Sequence, residues 1–178
     1  MKHLAAAALV LLVGCTGKPS LDDPKMSNRD LDLETFFEGQ TVAKGQFQDL
    51  FGTVRRRFDV TIEGTWNGET LTLVEDFVYE DGATERRVWT LTKTGDQTWQ
   101  GSAPGVIGTA MGEERGDTFN WAYTIDLPIP SADGTTETMR VTFDDWMWLL
   151  GEDRLLNKAY VRRYGLDIGE VVIFFEKR

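Results

Sequence analysis

With 178 residues and 29 acidic against 19 basic side chains, the chain can bury one core but carries a net charge of −10. That acidity excludes engagement of nucleic acid or an anionic membrane through a general electrostatic field. One cysteine and one histidine exclude an internal disulfide and argue against a zinc site, which normally needs imidazole or thiolate ligands.

The first element is a leader. Met1, Lys2 and His3 give a short positive start, and ten uninterrupted apolar residues follow, Leu4 to Val13. A helix needs roughly 20 residues to cross a bilayer, whereas the apolar centre of a secretory signal takes about 7–15. Leu12-Val13-Gly14-Cys15 resembles the lipobox of bacterial lipoproteins. That resemblance implies cleavage before Cys15, a diacylglycerol on its sulfur and an acylated new amine. Several acyl chains, at about 0.8 kcal/mol per buried methylene, anchor a protein firmly. It further implies a bacterial envelope location, at the outer membrane facing the periplasm, because Thr16 rather than aspartate follows the cysteine.

Cleavage removes Lys2 and His3 and leaves a mature chain near −11, with its one thiol committed to lipid. A Ser-His-Asp triad, a Cys-His pair and a haem with a proximal histidine then have no residues to be built from. No glycine-rich phosphate loop stands between a strand and a helix. The expectation is therefore a non-enzymatic protein with no cofactor and no metal.

From Cys15 to Asn28 the chain is polar, with two prolines and no apolar period, as expected of the lipidated cysteine and a tether. Thirteen flexible residues would reach on the order of 20 Å. Residues 29–178 follow as one domain. LDLETFFEG, starting at Leu31, reads as a short helix or a strap over a barrel mouth. Beyond it, runs rich in Val, Thr, Phe, Trp and Tyr alternate with turn pairs: Asn67-Gly68, Asp81-Gly82, Gly95-Asp96, Gly116-Asp117, Asp133-Gly134 and Gly151-Glu152. Asn-Gly and Asp-Gly supply the positive φ that tight hairpins require. Long strands joined by short turns make an up-and-down meander, and a coiled meander avoids exposed edges by closing. The predicted fold is all-β: one antiparallel barrel of about ten strands, calycin- or lipocalin-like. Leu155 to Tyr164 reads either as a strand or as a helical turn.

A closed barrel of eight to ten strands can hold a small ligand, so its inward faces are the place to look for function. Period-two sorting places Arg56 with Val54, Phe58, Val60 and Ile62; Glu75 with Leu71, Leu73, Phe77 and Tyr79; and Asp145 with Val141, Phe143 and Met147. Trp121 and Tyr123 share a clean apolar face with Phe119, Ile125 and Leu127. Inward charges are costly unless paired, so Arg56, Glu75 and Asp145 either form an internal network or receive a ligand; an inward arginine could clamp a carboxylate or phosphate. Asp144-Asp145 and Glu75-Asp76 cannot act as acid/base pairs, because strand neighbours face opposite sides. The same alternation splits Arg55-Arg56-Arg57, Arg86-Arg87 and Arg162-Arg163 into cross-strand partners for acidic residues.

The ordering of QTVAKGQFQDLFG, RRRFDVTIEGTWNG, LVEDFVYEDG, FDDWMWLL, LLNKAYVRRYG and IGEVVIFFEKR is similar to proteobacterial lipoproteins that carry domain of unknown function 3833. The likeness spans Leu33 to Arg178 and implies one lipid-anchored β domain, with no reaction or catalytic residue attached. The functional expectation is a small apolar or amphipathic ligand inside the barrel. A scaffold for another envelope protein, of unknown identity, is the alternative, and a carboxylate-dependent hydrolase comes third.

Overall fold

The turn pairs mark where the chain reverses. The computed structural model describes residues 17–25, 27–130 and 135–178. Cys15 with its expected lipid, the leader, and Asp133-Gly134 lie outside the described residues. Each of the other five turn pairs falls between two strands. At Asn67-Gly68 the Asn67 side chain accepts the N–H groups of Glu69 and Thr70, and Gly68 takes φ 97°. Asp81-Gly82 repeats the device, with Ala83 N–H bonded to Asp81 and Gly82 at φ 81°. Such φ values cost a residue with a Cβ about 1–2 kcal/mol, which is why glycine stands there.

Ten strands result: β1 (Gly39–Asp49), β2 (Val54–Trp66), β3 (Thr70–Tyr79), β4 (Thr84–Lys93), β5 (Thr98–Ser102), β6 (Val106–Arg115), β7 (Thr118–Pro130), β8 (Thr136–Leu149), β9 (Arg154–Arg163) and β10 (Leu166–Lys177). Each pairs antiparallel with its neighbour in sequence, and β1 closes on β10 with Ala43 opposite Phe175. The fold is therefore the expected all-β barrel, closed, with ten strands. The Leu155–Tyr164 stretch forms most of β9, alternating Leu155, Asn157, Ala159 and Val161 inward. Outside, cross-strand pairs absorb the charges: Arg86 with Asp76 and Arg140 with Asp126, both bidentate, and Lys44 with Asp59.

One end of the barrel is plugged. LDLETFFEG resolves to a single-turn helix, α1 (Leu33–Phe37), that buries Leu33, Phe36 and Phe37. Asp32 caps its start by accepting Thr35 N–H, and the buried Glu114 accepts Leu33 N–H at 2.8 Å. At its other end Lys177 Nζ donates to the carbonyls of Thr35, Phe36 and Glu38. Gly64 lets α1 sit down on the barrel, since a Cβ there would lie 1.7 Å from the Phe37 carbonyl oxygen.

The polar segment before α1 is laid along the outer wall rather than reaching freely. Lys18 pairs with Asp167 at the unplugged end, Arg115 with Asp22, and Ser27 bonds Asp117 near the plug. Lys18, Asp22 and Ser27, read from composition as solvation for a tether, find specific partners on the barrel.

Candidate ligand cavity

Inside the barrel lies a cavity of about 380 Å³. Leu33, Phe37 and Phe175 form its floor beneath the barrel axis, and Phe47, Leu127, Met139 and Ile168 line it towards the unplugged mouth. All five residues expected on inward faces from the sequence, Arg56, Glu75, Trp121, Tyr123 and Asp145, line this one cavity.

Trp121 and Tyr123 belong to an aromatic wall. The Trp89 ring meets Trp121 edge-on at 5.6 Å and Tyr123 at 4.9 Å, and Tyr123 stacks on Phe143 at 5.1 Å. Two glycines make room for it: a Cβ on Gly101 or Gly112 would lie 2.8 or 2.5 Å from the Trp121 ring. Small residues on the short β5 and on β6 thus let the indole lie flat against the wall.

The charged residues divide into two groups instead of the single network that sequence patterning suggested. Arg56 stands at the mouth, where its guanidinium lies 3.5 Å over the Tyr79 ring and pairs with Asp81 at 3.1 Å. Tyr79 donates to Glu85 at 2.7 Å, and Glu85 pairs with Arg87 at 2.6 Å. Arg56 is thereby held away from Glu75 and Asp145, because it sits at the first rungs of β2 and finds closer partners in the β3–β4 hairpin. The inward cation nearest Glu75 is Arg87, directly opposite it in the β3–β4 register.

Deeper in, the second group is under-satisfied. Glu75 forms no hydrogen bond among the described residues. Asp145 Oδ1 accepts Asn157 Nδ2 at 3.1 Å, while Asp145 Oδ2 and Asn157 Oδ1 are buried without a protein partner. Burial pushes the Glu75 carboxyl up from 4.5 to about 7, against the pull of Arg87. Burial likewise lifts Asp145 from 3.8 to about 7, against the Asn157 hydrogen bond. Burial also opposes ionisation of Glu85, but Arg87 and the Tyr79 hydroxyl outweigh it and lower its pKa. By area Glu75 is only half-buried, because its carboxyl faces the cavity; its distance from bulk water sets its electrostatics.

Sequence reasoning missed Arg87, Glu85 and Asn157. Arg87 was within reach, since strand alternation puts it on the same face as Trp89 and Leu91, two and four residues on. Asn157 was hidden by the open choice between strand and helix for its segment. Chemically, the cavity offers apolar and aromatic walls, plus a patch of two carboxyls and an amide oxygen that can take hydrogen bonds from a guest.

The fold has a solved counterpart. An S-type phycobiliprotein lyase, CPES, from Guillardia theta superposes with a TM-score of 0.58 at 9% identity, over 83% of this chain and 93% of that one. A redesigned β-barrel, mFAP1, bound to DFHBI, superposes at 0.41 with 11% identity, over 82% of this chain and 97% of that one. The lyase shows a calycin-like fold shared at low identity. No curated protein matches the chain. Residues 9–177 match the family described as protein of unknown function (DUF3833), and the chain belongs to that family.

Proposed function

We propose that this protein is a lipid-anchored envelope protein that holds one small amphipathic molecule inside its barrel, without turning it over. The observation that carries the reading is the cavity of about 380 Å³, apolar on most sides, with Asp145 Oδ2 and Asn157 Oδ1 unpartnered in its wall. Ligand sites commonly enclose about 300–1,000 Å³ and combine apolar walls with a few placed polar groups. Buried acceptors without partners cost about 1–3 kcal/mol each, and a guest carrying hydroxyl or amine N–H donors recovers that cost. The apolar body of the guest packs on Trp121, Tyr123 and Phe143, and its donor end meets Glu75, Asp145 and Asn157. Cys15, behind an apolar leader, supplies the anchor, and Thr16 favours the outer membrane with the domain in the periplasm.

The test is native mass spectrometry of the full chain extracted from membranes. A bound molecule at about one per chain, weakened by Trp121→Ala, is the expected result; a chain with no bound molecule and no saturable uptake of amphipathic probes overturns it. Cys15→Ser should abolish the acyl mass on the N-terminal peptide, and an unchanged mass refutes the anchor.

A second reading is favoured by Glu75 and Asp145 facing one cavity with carboxyls near pKa 7, a state suited to general acid–base hydrolysis. Recovery of the bound molecule intact after long incubation separates binding from hydrolysis.

A further inference from the structure

The unplugged end of the barrel carries an apolar rim. In the β1–β2 turn Leu50 is 63% and Phe51 92% exposed. In the β9–β10 turn Tyr164 is 88% exposed, and Leu166, which opens β10, is 71% exposed. Because β1 pairs with β10, these two turns are neighbours on one side of the mouth. Among the described residues, the exposed large apolar side chain in a turn at the plugged end is Leu150. The β9–β10 turn is also built at a cost. Tyr164 holds φ 52°, a conformation that favours glycine or asparagine, so an aromatic side chain is presented there against local preference.

A second observation says what this rim faces. Lys18 pairs with Asp167 at 3.0 Å and lies 4.6 Å from the Tyr160 ring, which pins the N-terminal segment to the same hairpin. Cys15 stands three residues earlier, so it lies within about 11 Å of Lys18 along the chain. The apolar run Leu4 to Val13 lies immediately before it. On the anchored reading, the acyl chains are therefore tethered within short reach of the hairpin that carries Tyr164 and Leu166.

We propose that the mouth of the barrel docks on a lipid bilayer, with Leu50, Phe51, Tyr164 and Leu166 seated at the boundary of headgroups and acyl chains. The N-terminal part of the argument rests on the anchored reading above; the rim does not. Phe47 and Ile168, from the same strands β1 and β10, continue the apolar surface from the rim into the cavity. A guest passes between membrane and cavity without its apolar body crossing water. The contact is apolar rather than electrostatic, as the charge of −10 requires, and is insensitive to salt.

The test uses the Cys15→Ser chain without its leader, so that neither acyl chains nor the apolar run Leu4 to Val13 can mask the rim, and phosphatidylcholine vesicles. Phe51→Asp with Leu166→Asp lowers vesicle affinity roughly tenfold or more, from the apolar burial lost. Leu150→Asp leaves affinity within about twofold, since its turn is at the far end. All three positions are exposed, and unchanged melting confirms that the variants fold. Equal affinity of the double variant and its parent overturns the proposal, as does an equal loss from Leu150→Asp. The mass of the native N-terminal peptide reports acylation separately. Rim-dependent binding in a chain whose native form lacks acyl groups refutes the anchor and supports the docking surface.

Discussion

Replacing Glu75 by glutamine should flatten the pH dependence of stability between about pH 5 and 8. In the folded protein the Glu75 carboxyl titrates near 7, because burial raises it from the ordinary 4.5. Unfolded, it ionises near its ordinary value. Between those two values the folded form binds more protons than the unfolded form, so stability falls as pH rises through the window. Below the lower value the carboxyl is protonated in both states and contributes nothing; above the upper one the penalty is complete. A displacement from 4.5 to about 7 corresponds to about 3 kcal/mol. Asp145 has the same sign, raised from 3.8 to about 7, and sits close enough to Glu75 that the two effects do not add. The carboxyls of Asp76, Asp126 and Asp167 are lowered by their arginine partners. Their stabilisation is lost only as pH falls below the ordinary carboxylate range, outside this window. For a chain of this size 1 kcal/mol moves the melting temperature by about 2–4 °C, so Glu75→Gln should melt roughly 6–12 °C above the parent at pH 8. Near pH 5 the two should agree to within about 3 °C. Thermal unfolding followed by circular dichroism across that range is the assay. Parallel curves for the two proteins from pH 5 to 8 would refute the reasoning.

Gly64→Ala should cost about 1–3 kcal/mol in urea unfolding, because its Cβ would collide with the Phe37 carbonyl and lift α1 off the floor; an unchanged midpoint would mean the plug is not seated as described. Asn157→Ala removes the donor to Asp145 Oδ1 and should cost about 1–3 kcal/mol, more at pH 8 than at pH 5, since the ionised carboxylate needs that donor most. Equal losses at both pH values would count against an ionising Asp145. Arg56→Ala should cost less than about 1 kcal/mol, because its side chain is 43% exposed and its pairing with Asp81 is screened by solvent. A larger loss in the same unfolding experiment would place Arg56 deeper than the mouth.

How far the sequence could be read depended on whether a residue's environment was set by its own strand. Alternation is local, so the inward placement of Glu75, Asp145, Trp121 and Tyr123 followed from their neighbours two residues away. Turn chemistry is local too, and Asn67-Gly68 and Asp81-Gly82 fell where hairpins reverse. Pairing between strands is not local. Arg56 and Glu75 looked like partners because both face inward, yet they stand at different heights along the barrel, and only the register put Arg87 opposite Glu75. Asn157 stayed out of view because Leu155 to Tyr164 carries two periods at once, with Leu156, Ala159 and Tyr160 also fitting a helical stripe. The N-terminal segment misled by composition: Lys18, Asp22 and Ser27 are residues of solvated linkers, and nothing in their own sequence reveals Asp167, Arg115 and Asp117 as partners.

The seam between β1 and β10 has a consequence for the order in which the molecule assembles. Ala43 meets Phe175 across it, and Lys177 holds the carbonyls of α1, more than 130 residues away along the chain. Eight hairpin pairings can form from neighbours in sequence as the chain emerges, but closure of the cylinder and seating of its plug both wait for β10. Until then the two edges and the apolar interior stand open together, which is when a β-rich chain is most prone to pair with another copy. Chaperone dependence should therefore end abruptly with the arrival of β10. A chain stopped before β10 should aggregate instead of forming a smaller barrel.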